Sequence, residues 1–248
     1  MVEQTIYLLR HGQTYWNAES KKKHQTHSNG IGNLLSLKGI EQAKTAAQIL
    51  KGVELHYAFH TPLTRSKQTL NEVIKYHPSL CVFEKPELNE LSLAFLDGMT
   101  QDEWEKEFPE TKALYDARKK DKFGCKLPDE DYSACFKKAK QIAEANGEPM
   151  KIIPNWENYA DVMKRTKESF IDKLDVLGNC SILVSGHQGL NRSLLGNFLI
   201  NSNYISQANE IVNLETPNAV IFRINASSDG VKLYHNIGNG WIEGFVKN

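Results

Sequence analysis

The chain has 248 residues and carries 30 acidic and 30 basic side chains, so its formal net charge at pH 7 is zero. That length supports one sizeable core, and the charge balance leaves no basic excess for nucleic acid, so affinity for an anion must come from a local cluster. Cys81, Cys125, Cys135 and Cys180 form no C-x-x-C pair and read as reduced thiols of a cytoplasmic protein, and there is neither a signal peptide nor an apolar run long enough to cross a bilayer.

Ile6 to Leu9 is a short apolar run of the kind a buried strand shows. It stops at Arg10-His11-Gly12. Arg and His are poor core fillers, and Gly lets backbone approach a ligand closely. Ser20 to Asn33 is polar. Within it, Lys21 to Lys23 reads as a solvated surface run rather than a phosphate patch. His24 and His27 have a spacing that could hold a metal on a helix, but no carboxylate or thiol is near, and Gly30 and Gly32 argue for a loop. No metal is expected there.

Ser36 is a good N-cap, and Leu37, Ile40, Ala43, Ala47 and Leu50 recur at helical spacing before Gly52 stops the helix. His56 to His60 reads as a strand, Pro62 as a turn, and a helix begins near Thr64. Arg65 falls in its first turn, where a basic residue opposes the helix dipole; an anion bound between Arg65 and the helix N-terminus would resolve that conflict. Leu80 to Phe83 is another short strand. Thr100 to Glu103 is a capping box that starts a helix.

The stretch from Phe108 to Pro128 is rich in Lys and Arg, including Lys112, Arg118, Lys119, Lys120, Lys122 and Lys126. Asp129-Glu130-Asp131 resembles an aspartate-nucleophile D-x-D but lacks the apolar strand that should precede it. Ser133 to Ala145 is helical, ended by Asn146-Gly147. Tyr159, Val162, Met163, Thr166, Phe170 and Leu174 make Glu157 to Leu177 an amphipathic helix. Ser181 to Ser185 is a strongly apolar strand that ends in Gly186-His187-Gln188-Gly189 and passes into a helix, Leu190 to Leu199. Asn218 to Ile224 and Val231 to His235 read as closing strands. In an open parallel sheet, sites form beyond the carboxyl ends of strands, where both His11 and His187 stand.

Four stretches together resemble the histidine phosphatase superfamily, also called phosphoglycerate mutase-like. Arg10, His11, Gly12, Thr14 and Asn17 match its opening R-H-G-x-[ST] and the Asn three residues on. Thr61 to Thr69 is similar to S-P-L-x-R-A-x-Q-T, with Arg65 as its arginine. Leu88, Glu90, Asp97 and Gly98 fit L-x-E followed by [ED]-G, and His187-Gln188 fits V-x-x-H-[GQ]. Some positions depart. The family's G-x-x-D-x-P-L-[ST] is blurred to Gly30, Asn33, Leu35 and Ser36, and Ala94 stands where Gly is usual. Gln188 resembles the fructose-2,6-bisphosphatase branch more than the mutases, and Gln13 stands where the mutases usually have Glu.

The resemblance implies an α/β fold, a three-layer α/β/α sandwich with a mostly parallel central sheet. Residues 1–248 would form one domain with a helical insertion at about 129–156. It implies catalytic roles for His11, Glu90, His187, Arg10 and Arg65, and substrate binding by Asn17, Gln188, Gly12 and Thr14. Arg118, Lys122 and Lys126 are further candidates. His11 would attack phosphorus and form a phosphohistidine, Glu90 would serve as acid and then base, and His187 and the arginines would stabilise charge. Glu90 would need to hold a proton near neutrality to act as the acid. The expected partner is a small phosphorylated substrate, with no cofactor, nucleic acid or membrane. Alternatives are phosphoryl transfer of the mutase type and a phosphate-binding module without catalysis. No arginine lies six residues after any cysteine, so a cysteine-based phosphatase loop is absent.

Overall fold

Two apolar strands, β1 (Gln4–Arg10) and β4 (Cys180–Gly186), lie side by side at the centre of the sheet, and most of their residues are buried. They run parallel, with Gln4 opposite Cys180 and Arg10 opposite Gly186. Burial on both faces explains why each reads as a continuous hydrophobic run instead of an alternating one. The structure, a computed structural model, describes residues 2–117, 129–145, 156–200, 204–205, 208–237 and 240–244.

The sheet has seven strands in the order β3-β2-β4-β1-β5-β6-β7. β2 (Tyr57–His60) joins β4 in parallel, and β3 (Cys81–Glu84) joins β2 in the same sense. On the other side of β1, β5 (Ile221–Ser227), β6 (Gly230–Ile237) and β7 (Gly240–Glu243) continue antiparallel. The sheet is therefore mixed, with a parallel half and an antiparallel half. The sequence reading reaches β5 and β6 but not β7.

Side chains alternate across a strand. Ile6 and Leu8 join one core cluster with residues of α7 (Tyr159–Ser169) and α8 (Gln188–Leu199). Tyr7 and Leu9 join another with residues of α2 (Leu37–Leu50) and α3 (Thr64–Ile74). These are the outer layers of an α/β/α sandwich. The buried stripe of α2 is Gly39, Ala43, Ala46, Ala47 and Leu50. Leu37, expected on that stripe, is 79% exposed at the first helical position. The predicted helix to Leu177 also divides. α7 ends at Ser169, and a tighter 3-10 segment, Ile171–Leu177, follows. Between them Phe170 leaves helical geometry and packs edge-on against Phe59, with centroids 5.0 Å apart.

A smaller cluster of buried residues lies apart from the sheet: Ala94, Phe95, Leu96, Trp104, Phe108, Cys135 and Trp156. Trp104 comes from α4 (Gln101–Glu107), whose Thr100–Glu103 capping box forms as predicted. Cys135 comes from α6 (Asp129–Ala145), so the segment read as an insertion helps to build this satellite core. Asp129 to Asp131 begin that helix. In α5 (Pro109–Ala117), Lys112 is tied to Asp116 and Glu105 and lies over the Trp104 ring. Arg118, Lys119, Lys120, Lys122 and Lys126 lie outside the described residues.

Candidate active site

Because β1 and β4 are parallel neighbours in register, their carboxyl ends bring two histidines together. The His11 N–H donates to the Gly186 carbonyl at 3.0 Å. The His11 and His187 rings stand 5.3 Å apart, centroid to centroid. Both are buried.

Their hydrogen bonds differ. His11 Nδ1 lies 2.8 Å from the Gly12 carbonyl. A carbonyl only accepts, so Nδ1 carries the proton and Nε2 keeps its lone pair. His187 instead uses Nε2, 2.9 Å from the Thr61 hydroxyl, while its Nδ1 is buried with no partner among the described residues. Burial holds both rings well below the ordinary imidazole value, and the nearby Arg65 charge pushes each the same way. Both rings are neutral in this state, so His187 adds a donor rather than a positive charge.

Two guanidinium groups supply the positive charge. Arg65 on α3 is 0% exposed. Its Nη2 donates to the Thr26 carbonyl at 2.8 Å, and Nη1 lies 3.4 Å from the Ser28 carbonyl and 3.5 Å from Asn33 Oδ1. Arg10 Nη1 donates to the Thr216 carbonyl at 2.7 Å. Neither arginine forms an ion pair among the described residues, and both Nε atoms are buried without a partner. Burial lowers each to about 10, with the Glu90 charge acting in the opposite direction. A buried guanidinium served only by neutral acceptors is poised for an anion. Arg65 lies in the first turn of α3, as the sequence reading expects. It reaches back to the 26–33 loop, and Asn29 Oδ1 takes the Thr64 N–H at 2.8 Å.

Glu90 arrives from a loop and meets the amino end of α8. Its Oε1 accepts from Leu91 N–H at 2.8 Å and Leu190 N–H at 3.0 Å; Oε2 accepts from Gly189 N–H at 3.2 Å. All three of these partners are backbone donors, so the Glu90 carboxyl group serves here as a hydrogen-bond acceptor. A Cβ on Gly189 would come within 2.6 Å of Glu90 Oε1, so any other residue would have to displace that carboxyl group.

These groups border a cavity of about 620 Å³. Arg10, His11, Asn17, Glu90 and Gln188 line it, whereas Arg65 and His187 lie behind the wall. Gly12 and Thr14 are also off the wall. Gly12 abuts α2, where an added Cβ would meet the Gly39 carbonyl oxygen at 2.3 Å. Thr14 caps α1 (Tyr15–Ala18), exchanging hydrogen bonds with Asn17. The Asn17 amide oxygen is thereby used, which leaves its NH2 group for the cavity.

Sequence reasoning missed several wall residues. Lys22 and Lys23, read as a solvated run, line the cavity, while Lys21 pairs outside it with Asp102. Tyr159 lines it too, and its hydroxyl accepts from Arg192 Nη1 at 3.0 Å. Asn218 Nδ2 donates to the His11 carbonyl at 2.9 Å. Ala94, at the start of a 3-10 turn, and Ala219 adopt positive φ, 47° and 59°, beside the wall residues Leu93 and Asn218. Such strain gathers at functional sites, and it accounts for the glycine usual at Ala94. Among the described residues no group of three or more His, Cys, Asp or Glu side chains could hold a metal, and no helix is long and apolar enough to cross a membrane.

Residues 6–147 match the family model described as histidine phosphatase superfamily (branch 1), and α6 falls within that span. A 2,3-bisphosphoglycerate-dependent phosphoglycerate mutase 2 of Lactiplantibacillus plantarum is 27% identical over 218 residues, covering 85% of this chain and 88% of that one. The α-ribazole phosphatase of Shigella flexneri superposes with a TM-score of 0.69 at 20% identity, over 98% of this chain and 100% of that one. A mycobacterial glucosyl-3-phosphoglycerate phosphatase does so with 0.66 at 17% identity, over 96% and 99%. Such structural likeness shows the shared fold, while the family match covers more than half of the chain. The chain belongs to the histidine phosphatase superfamily, branch 1, and is an enzyme of the histidine phosphatase type.

Proposed function

We propose that this enzyme hydrolyses phosphomonoesters of small metabolites through a phosphohistidine on His11. The observation that carries this is the Gly12 carbonyl on His11 Nδ1, which leaves Nε2 as an unprotonated nucleophile. The phosphoryl group carries about two negative charges. Arg10 and Arg65 oppose them with two positive charges, against one on Glu90, in a buried setting where such interactions are strong.

In the first step His11 Nε2 attacks phosphorus and the ester P–O bond breaks. The leaving alkoxide takes a proton from Glu90. Glu90 acquires that proton when the dianionic phosphoryl group arrives beside it, since a neighbouring negative charge favours the protonated carboxyl. In the second step water gives a proton to Glu90 and attacks phosphorus, the P–N bond breaks, and inorganic phosphate leaves. His187 Nδ1 donates to phosphoryl oxygen in both steps while the Thr61 hydroxyl donates to its Nε2. Asn17 adds a neutral donor. We read the setting as cytoplasmic, in keeping with Cys81, Cys135 and Cys180, which are unbridged among the described residues.

The test is phosphate release from sugar phosphates, sugar bisphosphates, phosphoglycerates and p-nitrophenyl phosphate, in EDTA, for wild type and His11→Ala. Turnover that disappears in the variant, with acid-labile phosphate on the wild-type chain, is expected. Loss of turnover in EDTA that returns with added metal would count against it. A second reading, phosphoryl transfer of the mutase type, is favoured by the mutase name of the Lactiplantibacillus plantarum relative. It requires 2-phosphoglycerate to form from 3-phosphoglycerate in the presence of 2,3-bisphosphoglycerate.

A further inference from the structure

Lys23 is a lysine that the structure holds in place. Its ammonium lies 5.5 Å from the centroid of the Trp16 ring. Trp16 is itself seated, because a Cβ on Gly32 would fall 2.0 Å from its Nε1, and one on Gly98 would fall 3.3 Å from its Cη2. Gly98 also has φ +94°, which favours glycine. The backbone on either side is fastened as well. Lys23 bridges Thr100, His24 N–H donates to the Met99 carbonyl at 2.8 Å, and Gly98 N–H returns to the His24 carbonyl at 2.8 Å. Such fixing removes much of the side-chain entropy a lysine loses when it grips an anion.

Lys23 nevertheless has no carboxylate partner among the described residues. It forms no ion pair among the described residues, whereas Lys21, two positions away, pairs with Asp102 at the surface. The carboxylate that senses the Lys23 charge, Glu103, is committed to the capping box of α4. Half-buried Lys23 and exposed Lys22 instead line the cavity that His11, Arg10 and Glu90 also line. Arg10 on the wall and Arg65 behind it suffice for the phosphoryl group being transferred. A third cation, anchored and unpaired on the wall, answers a different negative group.

We propose that Lys23, seated on Trp16, selects substrates bearing a second anionic group, a carboxylate or a second phosphate, beyond the phosphoryl group that reacts. This rests on the phosphoryl site proposed above. The test is calorimetric binding in a His11→Ala background, which blocks turnover, with Lys23 intact or changed to Gln. One pair of probes is 3-phosphoglycerate against glycerol 3-phosphate. The other is fructose 1,6-bisphosphate against fructose 6-phosphate. With Lys23 intact, the doubly anionic member of at least one pair should bind about tenfold or more tightly, and the pair that shows it identifies carboxylate or phosphate. Lys23→Gln should reduce that ratio to about threefold or less, while Lys21→Gln leaves it in place. Trp16→Leu, which keeps every charge, should also erode it, as expected of a positioning residue. Equal binding within both pairs, or a ratio that Lys23→Gln leaves unchanged, would overturn the proposal. Failure of wild type to release phosphate from any compound would sink hydrolysis alone, because these binding ratios decide the role of Lys23 without turnover.

Discussion

The ends of β1 and β4 invite comparison. Each is an apolar strand that stops at a buried histidine, and they lie in register beside each other. On sequence the two are near copies. One hydrogen bond separates them. His11 gives its Nδ1 proton to a carbonyl, while His187 meets a hydroxyl through Nε2. A carbonyl dictates the tautomer, and a hydroxyl can donate or accept. On the proposed mechanism, the same residue at equivalent positions of the fold serves as nucleophile on one strand and as donor on the other.

The largest effect should come from His11→Ala, with a loss of about 10⁴-fold or more in kcat and no phosphohistidine detectable by acid-labile radiolabel. If His187→Ala abolished the label and His11→Ala kept it, the two roles would be reversed. Glu90→Gln should lower kcat by about 10³-fold, within the usual range for a lost acid–base group. Its deficit should shrink with substrates whose leaving groups need no proton, such as p-nitrophenyl phosphate. His187→Ala should lower kcat by about 10² to 10³-fold while the label still forms, because it removes one donor from the transition state. Thr61→Val leaves His187 Nε2 buried without its partner. About 1 to 3 kcal/mol of stability should be lost by urea denaturation, with a fall of about tenfold in kcat.

The smallest effect concerns pH and stability. Both rings have folded values held below the ordinary imidazole value, so the unfolded chain binds more protons once the pH falls below about 6.5. Their stabilising contribution is full above that pH and is lost as pH falls through the depressed folded values. The slope is at most about 1.4 kcal/mol per pH unit for each ring. Urea midpoints at pH 7.5, 6.5 and 5.5 should show the decline, and His187→Asn should flatten it. An unchanged slope in that variant would remove His187 from the account.

Local pattern revealed much of this. The strands that carry His11 and His187, the caps at Ser36 and Thr100 and the helix at Thr64 follow from residue types a few positions apart. What stayed hidden depends on distant chain. Glu90 finds its donors about 100 positions away, at Gly189 and Leu190. Lys22 and Lys23 look like any solvated basic run until residues 23–24 join residues 98–100 and turn the segment into cavity wall. Gly12 reads as room for a ligand, whereas the neighbour that needs the room is Gly39. The Ala94 departure was visible, but its meaning depends on a φ of 47° that no spacing encodes.

The contact between Gly12 and Gly39 bears on how the enzyme would lose activity on heating. A Cβ on Gly39 would lie 1.9 Å from the Gln13 carbonyl oxygen, just as one on Gly12 would strike Gly39. The Gly12 amide is further tied to the Thr69 hydroxyl at 3.1 Å. The loop after His11 is thus wedged between α2 and α3 and cannot open by itself as a surface flap would. Its amide should exchange with solvent deuterium only in openings that dismantle the core. Heat inactivation should then keep pace with global unfolding, and a half-life at high temperature would report the unfolding rate of the whole sandwich.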